Sequence, residues 1–428
     1  MTTTDVGGRS VSIATLLRRN ADYRRVYISQ VVSQGGDWFA MVPLITLLHQ
    51  ITGHGALGAL LMGAETLVIA AMSPLAGSLV DRIDRRKVLL CCQIGSAAAV
   101  LLLLLVQTSA TAWISIVTYA ALAASKAFFS PTVSATVPRL VAPQELLTAN
   151  AGIASLWGVM LTLGATFGGI AAAVTSPAVC FVINSLTFVL SAVLLARIPR
   201  DKLTRPGVPS SRAERLNLRR DLRQVAELGR ADQRVLTLMF SKPGSHLGNG
   251  AIALFPAVAA LVLHVDSVGA SLLFAARGVG ALLGPLVAQR LMTTAGNLRR
   301  SIAAAIALYG LGYLAFTLVG SLPLAIGFVV LAHVGGSMNA TLSGYGLGAI
   351  VPDEIQGRTF AIDNMLAMLA IAVSQLGVAA AVLFVDEAVL TRILAAIVLA
   401  YAVVWWLGSR ALAAGVDDPA GASADVQK

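Results

Sequence analysis

Residues 77–87 read Gly-Ser-Leu-Val-Asp-Arg-Ile-Asp-Arg-Arg-Lys and form a short charged segment between two long apolar runs. The apolar run before it contains a single charged side chain, Glu65, and residues 88–106 contain none. A charged turn between two membrane-length helices lies at the bilayer surface, and its basic residues favour the cytoplasmic side. Gly77 would let another helix approach closely, and Asp81 would lie near the positive N-terminus of a helix. We therefore expect this segment to act as a gate.

The composition is that of a polytopic membrane protein. Of the 428 residues, 57% are hydrophobic and 12% are charged, and the mean hydropathy is +0.80, more apolar surface than a soluble fold can cover. The first 25 residues are polar and basic without an apolar core, so we expect the first membrane segment to be retained. Cys91, Cys92 and Cys180 fall inside apolar runs, which favours small buried side chains over a disulfide or a metal site.

The apolar runs predict twelve membrane helices, and the positions of the basic residues predict their orientation. The predicted helices are residues 26–49, 56–80, 88–107, 111–136, 150–173, 177–196, 235–263, 268–289, 301–319, 322–349, 361–384 and 393–412. Of the 31 Lys and Arg residues, three fall in the interiors of helices (Lys126, Lys242 and Arg277), Arg410 falls at the inner end of the last helix, and one, Arg392, falls in an outer loop if the N-terminus is inside. The rest lie on the inner side, so both termini are expected in the cytoplasm. The net charge of +10 then reflects topology, and no nucleic-acid partner is expected.

A long polar connection divides the chain into two halves. Residues 197–234 hold 11 basic and 5 acidic side chains, and residues 216–228 have the apolar spacing of a surface helix. The expected domains are an amphipathic cytoplasmic lead-in at 1–25, a six-helix bundle at 26–196, the linker at 197–234, a second bundle at 235–412 and a disordered cytoplasmic tail at 413–428.

The two halves resemble each other in sequence. Gly284, followed by three arginines, lies 207 residues after Gly77, and Val-Pro-Asp-Glu-Ile at 351–355 lies 209 residues after Ala-Pro-Gln-Glu-Leu at 142–146. Two matches at nearly one offset predict a duplicated six-helix unit. Ala288 stands at the position equivalent to Asp81, so the gate is expected mainly in the first half.

Several motifs resemble those of the major facilitator superfamily. The charged stretch follows that family's loop pattern Gly-x-x-x-Asp-Arg-x-Gly-Arg-Arg, with Asp84 in place of the second glycine. Residues 127–131, 143–150 and 351–364 are similar to loops of the branch that includes macrolide and enterobactin exporters. Residues 164–169, Gly-Ala-Thr-Phe-Gly-Gly, resemble the end of the family's antiporter motif, and close helix packing is the alternative explanation for these glycines.

The resemblance implies a fold and a class of activity. It implies an all-α membrane protein with twelve transmembrane helices in two six-helix pseudo-repeats, acting as a secondary transporter in the plasma membrane. It further implies export of a small amphiphilic molecule, such as a drug, secondary metabolite or siderophore, by proton antiport. The gate residues carried over from the family pattern are Gly77, Asp81, Arg82, Arg85 and Arg86.

Asp37 and Lys126 are candidates for proton coupling, because an ionisable side chain in hydrocarbon costs about 2.5 to 3.5 kcal/mol and needs a partner or a pathway. Counting helical rise places both at roughly 16 Å from the inner surface. In the resembled fold their helices are neighbours, so we expect an ion pair that protonation of Asp37 would open. The alternative is a structural role, in which Asp37 neutralises Lys126 or caps the turn at Gly35 and Gly36.

Glu65 and Arg277 are two further charged side chains within predicted helices. Glu65 lies roughly 24 Å from Asp81, and it is either a second proton site or an interfacial residue. Arg277 lies roughly 19 Å from the inner end of its helix, too deep to reach the surface easily. It would attract an anionic substrate group or pair with Glu65 or Asp363, and the sequence does not choose between these.

The seventh predicted helix contains a break that marks a candidate substrate site. The run Lys-Pro-Gly-Ser-His at 242–246 interrupts the helix, and broken helices near the membrane midplane often line binding sites. We expect Lys242 to extend to the inner interface. The polar residues that we assign to the substrate cavity, besides Arg277, are His246, His333, Asn249 and Asn339, with satisfied packing groups as the alternative.

The sequence lacks the motifs of nucleotide-driven transport and of common enzymes. No Gly-x-x-x-x-Gly-Lys-Ser/Thr loop, Gly-x-Ser-x-Gly elbow or His-Glu-x-x-His motif occurs. We therefore expect no cofactor, no metal and no enzymatic activity, and we expect a monomer whose partners are a small-molecule substrate, protons and the lipid bilayer. Proton-coupled uptake, or a receptor or enzyme built on the same scaffold, remain the alternatives.

Overall fold

The computed structural model describes residues 11–80, 83–203, 218–265, 267–295 and 297–414, and all regular structure in these ranges is helical. The α-helices are α1 (Ile13–Arg19), α2 (Ala21–Thr52), α3 (Ala56–Val80), α4 (Arg85–Leu101), α5 (Trp113–Leu140), α6 (Leu146–Val174), α7 (Pro177–Ala196), α8 (Arg200–Leu203), α9 (Leu218–Ala231), α10 (Gln233–Met239), α11 (Ser241–His246), α12 (Phe255–Leu261), α13 (Ser267–Ala295), α14 (Leu298–Phe316), α15 (Leu322–Ile350), α16 (Asp353–Ala381) and α17 (Glu387–Gly408). Short 3-10 stretches lie at Leu102–Leu105, Pro143–Glu145, Asn249–Leu254 and Ser409–Ala414.

Each of the twelve predicted membrane helices corresponds to a long helix, except the seventh, which is a series of short ones. Within the described ranges, 10 helical stretches are long and apolar enough to cross a membrane. The other two predicted membrane helices are α3 and α14. Helix α3 contains the shorter apolar segment Ala56–Met72, and α14 has 19 residues. The predicted all-α membrane fold is confirmed.

Several helices begin earlier than their apolar runs. Helix α2 begins at Ala21 instead of residue 26, and α16 begins at Asp353 instead of residue 361. Hydropathy locates the part of a helix that is apolar, whereas the polar turns at its ends are held by specific partners. Asp22, for example, pairs with Arg25 at 2.5 Å and with Lys202 at 2.6 Å.

The seventh predicted helix is broken, but the run at 242–246, which was expected to interrupt it, is itself helical. Helix α10 ends at Met239, α11 covers Ser241–His246, and the 3-10 stretch Asn249–Leu254 leads into α12. Pro243 lies in the first turn of α11, where its missing N–H costs no helical hydrogen bond. The breaks therefore fall on either side of α11.

The chain divides by its contacts into two units. Unit 1 comprises Met1–Met41 and Ala71–Leu216, and unit 2 comprises Val42–Ala70 and Asn217–Lys428. The division passes through α2 after Met41, next to Pro43 inside that helix, and through α3 after Ala70. The separation into two six-helix bundles joined at 197–234 stays a prediction.

In unit 1 the short helix α1 packs against the protein. Leu16 is buried in a cluster with Tyr23 and Val26, and the Tyr23 hydroxyl donates to the carbonyl of Ala149 at 2.8 Å. The lead-in is thus fixed through its apolar face and by hydrogen bonds at the start of α2.

In unit 2 the linker helix α9 is tied to the start of α16. Arg358 donates to Gln224 Oε1 at 2.6 Å and lies 3.5 Å from Asp221 Oδ1, while Val225 is buried. The predicted surface helix at 216–228 is observed as Leu218–Ala231. Residues 1–10, 204–217 and 415–428 lie outside the described residues, and the last range is all but the first two residues of the tail predicted at 413–428.

Two glycines let α6 approach the backbone of α2. A Cβ atom on Gly164 would lie 2.7 Å from the carbonyl oxygen of Gly35. A Cβ atom on Gly168 would lie 2.2 Å from the carbonyl oxygen of Phe39 and 2.7 Å from its Cα. Small residues at such crossings permit the close packing on which membrane helices depend.

Replacing Gly168 with Ala should destabilise the protein by about 1–3 kcal/mol, because the helix backbones must separate to admit the methyl group. Thermal unfolding of the purified protein in detergent measures this loss. Gly95→Ala is the matched control, since a Cβ there meets nothing within 4 Å and removes a flexible glycine from a helix, a gain of about 0.5–1 kcal/mol. Equal melting temperatures for both variants would contradict the packing.

Candidate functional site

Asp37 and Lys126 lie together in unit 1. Lys126 Nζ is 3.2 Å from Asp37 Oδ2, and the exposed fractions of their side chains are 33% and 12%. Asp37 is on α2 and Lys126 on α5, so the contact joins helices that are far apart in sequence. The pair is partly accessible and electrically neutral as long as Asp37 is ionised.

Helix α2 is held next to α7 at the turn that precedes Asp37. A Cβ atom on Gly36 would lie 2.1 Å from Thr187 Oγ1 and 2.5 Å from Asn184 Oδ1. Asn184 is completely buried and accepts from the Thr187 hydroxyl at 3.2 Å. This close approach fixes the height of Asp37 within the helix bundle.

Glu65 and Arg277 both belong to unit 2, whereas Asp37 belongs to unit 1. Arg277 interacts electrostatically with the phenol groups of Tyr313 and Tyr309 and with Glu65. Of the two acidic partners that the sequence left open for Arg277, the structure therefore favours Glu65, because Asp363 contacts a different cation. Glu65 is half-buried, and its assignment as a second proton site or an interfacial residue stays a prediction.

His333 belongs to an aromatic cluster next to Arg277. Its Nε2 is 2.9 Å from the Tyr313 hydroxyl, and its ring lies 5.5 Å from the ring of Tyr309. His333, Tyr309 and Tyr313 are all buried. These contacts favour the packing role for His333 over direct contact with a substrate.

The expectation that Lys242 extends to the inner interface is wrong. Lys242 forms a salt bridge with Asp363 of α16, and the exposed fractions of the two side chains are 14% and 1%. With α16 beginning at Asp353, Asp363 lies about 15 Å from the start of its helix, not at its end. The early start of α16 is the reason that sequence reasoning missed this pair. The two polar residues Asp363 and Asn364 within an apolar run are the signal that could have indicated it.

Polar side chains from α15 and α16 satisfy the interrupted backbone around α11. The Asn339 amide donates to the Ser241 carbonyl and to Ser245 Oγ, each at 2.9 Å. Ser374 Oγ donates to the Leu247 carbonyl at 2.5 Å and accepts from the Gly250 N–H at 2.9 Å. Broken helices need such partners because their free carbonyls and N–H groups are costly in a membrane. Asn339 therefore has a structural role, which is to satisfy hydrogen-bonding groups of α11.

Two further candidates lie within the broken segment itself. His246 Nδ1 donates to the carbonyl of Lys242 at 2.8 Å. Asn249 is buried at the start of the 3-10 stretch. Both side chains belong to the element that is interrupted, as expected for residues near a binding site.

The arginines of the charged turn bind helix ends in unit 1. Arg85 donates to the carbonyl of Ala135 at 2.7 Å. Arg86 donates to the carbonyls of Ala196 at 2.5 Å and Ile198 at 2.6 Å. Cations at the C-terminal end of a helix satisfy its free carbonyls and its dipole, so Arg86 fastens the start of α4 to the end of α7. Gly77 lies within α3, and Asp81 and Arg82 lie outside the described residues.

Comparison with curated proteins and solved structures identifies the family. Residues 26–244 match the model of the Major Facilitator Superfamily. The chain is 25% identical over 282 residues to the uncharacterized MFS-type transporter YceJ of Bacillus subtilis (strain 168), covering 65% of this chain and 68% of that protein. It is 27% identical over 188 residues to YfiS of the same organism, also an uncharacterized MFS-type transporter, covering 44% of each. The latter match thus spans less than half of either protein.

Two solved structures share the fold at low sequence identity. One is a bacterial homolog of the human lysosomal transporter Spinster, in an inward-facing and unoccupied conformation, with a TM-score of 0.72, 12% identity and coverage of 94% of this chain and 100% of that one. The other is a POT family transporter in complex with 5-aminolevulinic acid, with a TM-score of 0.71, 13% identity and coverage of 92% and 97%. Since the family model covers more than half of the chain, this protein belongs to the Major Facilitator Superfamily and is a multi-pass membrane transporter.

Proposed function

We propose that this protein exports a small amphiphilic molecule across the plasma membrane by proton antiport. The observation that carries the proposal is the ion pair of Asp37 and Lys126, at 3.2 Å in unit 1. A chain without a nucleotide-binding loop needs another energy source, and a carboxylate inside the membrane is the group through which a proton gradient acts on a protein.

The pair has two states of different charge. With Asp37 ionised, the carboxylate neutralises Lys126; a proton on Asp37 removes that attraction and leaves Lys126 to find water or another anion. Burial opposes ionisation of a carboxyl group and a neighbouring cation favours it, so the two effects compete at Asp37. Lys126 is partly exposed, and in this proposal its exposed part faces the water of the transport cavity, through which protons reach the pair.

The cargo is expected to be mainly apolar with few polar groups. The helices are rich in Ala, Leu, Gly and Phe, and a site lined by such residues with a few placed polar groups suits an amphiphilic ligand better than a sugar. Arg277, His246 and Asn249 are the polar groups that we assign to its recognition, and the export direction rests on the resemblance to macrolide and siderophore exporters.

The charged turn at residues 77–87 is the proposed gate. Arg85 and Arg86 fix its second half to unit 1.

Replacing Asp37 with Asn should abolish uphill transport while leaving exchange of cargo down its gradient, because the amide cannot take up or release the coupling proton. Everted vesicles given a panel of lipophilic cations, macrolides and siderophores measure this by proton movement. Asp22→Asn is the matched control on the same helix, since Asp22 is also ion-paired, to Arg25 and Lys202, but lies in the polar first turn.

The control variant should retain proton-driven transport. Undiminished uphill transport by Asp37→Asn would remove Asp37 from the coupling mechanism. Cargo movement into the cell with protons would replace export by uptake, and reconstituted protein that moves none of the probes would favour a receptor.

The contact between Asp37 and Lys126 should also appear as a coupling free energy. Lys126→Gln and Asp37→Asn should each destabilise the protein, and the double variant should lose less than the sum, with an interaction energy of about 0.5–3 kcal/mol. Thermal unfolding of the four proteins measures this, and additive losses would show that the two side chains do not interact.

The predicted orientation can be measured by labelling introduced cysteines after Cys91, Cys92 and Cys180 are replaced with Ser. On intact cells a membrane-impermeant maleimide should label Ser109→Cys, in the loop before α5, and should not label Arg220→Cys on α9. Everted vesicles should show the reverse, and permeabilised cells should show both. Labelling of Arg220→Cys on intact cells would place the linker outside the cell.

A further inference from the structure

A second buried ion pair lies in unit 2, outside the group of residues that the sequence assigned to proton coupling. Asp363 of α16 and Lys242 of α11 form a salt bridge in which the side chains are 1% and 14% exposed. Both values are lower than those of Asp37 and Lys126, which are 12% and 33%. Asp363 is thus the more deeply buried of the two paired carboxylates.

The two oxygens of Asp363 have different surroundings. Oδ2 contacts Lys242 Nζ, whereas Oδ1 is buried and has no hydrogen-bond partner in the part of the chain that the structure describes. A buried acceptor without a partner costs about 1–3 kcal/mol, and more when it is charged. The ionised form of Asp363 is therefore supported by Lys242 on one oxygen and poorly solvated on the other.

Opposing effects act on the protonation of the Asp363 carboxyl group. The cation favours the carboxylate, while burial and the unsatisfied oxygen favour the protonated acid. Groups in which such effects oppose each other change protonation when their surroundings change, and these groups are concentrated at functional sites.

The pair also connects two helices whose contact depends on the charge. Helix α11 is six residues long and is held by Asn339 from α15 and by Ser374, which binds Leu247 and Gly250 just beyond it. Those contacts are between neutral groups and persist at any pH. The contact through Asp363 is the one among them that a proton removes.

We propose that Asp363 is a second proton-binding carboxylate of the transport cycle and that Lys242 is the counterion that replaces the proton when it leaves. The inference rests on the proposed proton-coupled transport and adds a second site to it. Protonation of Asp363 breaks the salt bridge and loosens the contact between α16 and α11, while the contacts through Ser374 remain, and deprotonation restores the salt bridge.

The other ionisable groups on the elements packed against α16 are engaged elsewhere or lie further along their helices. His246, one turn after Lys242, binds the Lys242 carbonyl through Nδ1. Arg358, five residues before Asp363, binds Asp221 and Gln224. The remaining members of this set are His333 and Tyr345 on α15, Glu65 on α3, and Arg219, Arg220, Arg223, Glu227 and Arg230 on α9.

Infrared titration of the purified protein in lipid vesicles tests the site without a cargo. The wild type should show the carbonyl band of a protonated carboxyl group that is slow to exchange in heavy water, and this band should be absent in Asp363→Asn/Lys242→Gln. The double variant is preferred to Asp363→Asn alone, since it leaves no uncompensated lysine. Asp232→Asn is the matched control, because Asp232 pairs with Arg234 at the start of the same broken segment but is 25% exposed, and it should keep the band.

Transport measurements then connect the proton to the cycle. The double variant should move one proton fewer per cargo molecule than the wild type and than Asp232→Asn, and Asp363→Glu should recover the wild-type count. Identical spectra and identical proton counts for wild type and double variant would overturn the proposal.

The outcome separates this inference from the proposed function. If Asp37→Asn abolishes uphill transport while the double variant keeps the full proton count, the second site fails and the antiport mechanism stands. If Asp37→Asn transports uphill and the double variant does not, Asp37 fails and Asp363 is the coupling group.

Discussion

The structure depends on one constraint, that an ionised side chain surrounded by hydrocarbon must have a partner of opposite charge. Removing one member of a buried pair leaves a charge that neither water nor a second partner neutralises, and the cost is larger than the net stability that the pair provides. In this chain Lys126 is matched by Asp37, Lys242 by Asp363, and Arg277 interacts with Glu65. Each match joins residues on different helices, so the arrangement of helices and the protonation of these acids are linked.

The helices were predictable because their signal is local. Apolar runs of sufficient length give a helix in a membrane wherever they occur, so all twelve predicted segments are helical. The ends were less predictable: the polar first turns of α2 and α16 are stabilised by residues such as Lys202 and Gln224, which lie far away in sequence.

The ion pairs were likewise predictable only where the helices that carry them could be placed next to each other. Asp37 and Lys126 were named together because the resembled fold makes their helices neighbours, whereas the pairing of Lys242 with Asp363 needed the true start of α16.

The broken segment from Gln233 to Leu261 shows how a membrane protein accommodates irregular backbone. Its free carbonyls and N–H groups are satisfied by Asn339 and Ser374, and its charge by Asp363. The glycines and Pro243 predicted that the helix would be interrupted, but they did not predict which side chains would replace the lost hydrogen bonds. Those side chains lie on α15 and α16, about a hundred residues later in the chain.

Helix α2 is continuous from Ala21 to Thr52, yet Met41 and Val42 belong to different units. Because Pro43 has no backbone N–H, the carbonyl of Phe39 lacks its usual donor in the next turn. A helix with one hydrogen bond missing has a lower bending stiffness at that level, while the turns above and below it keep theirs. The level of α2 at which this hydrogen bond is missing is therefore also the level at which the division of the chain into units falls.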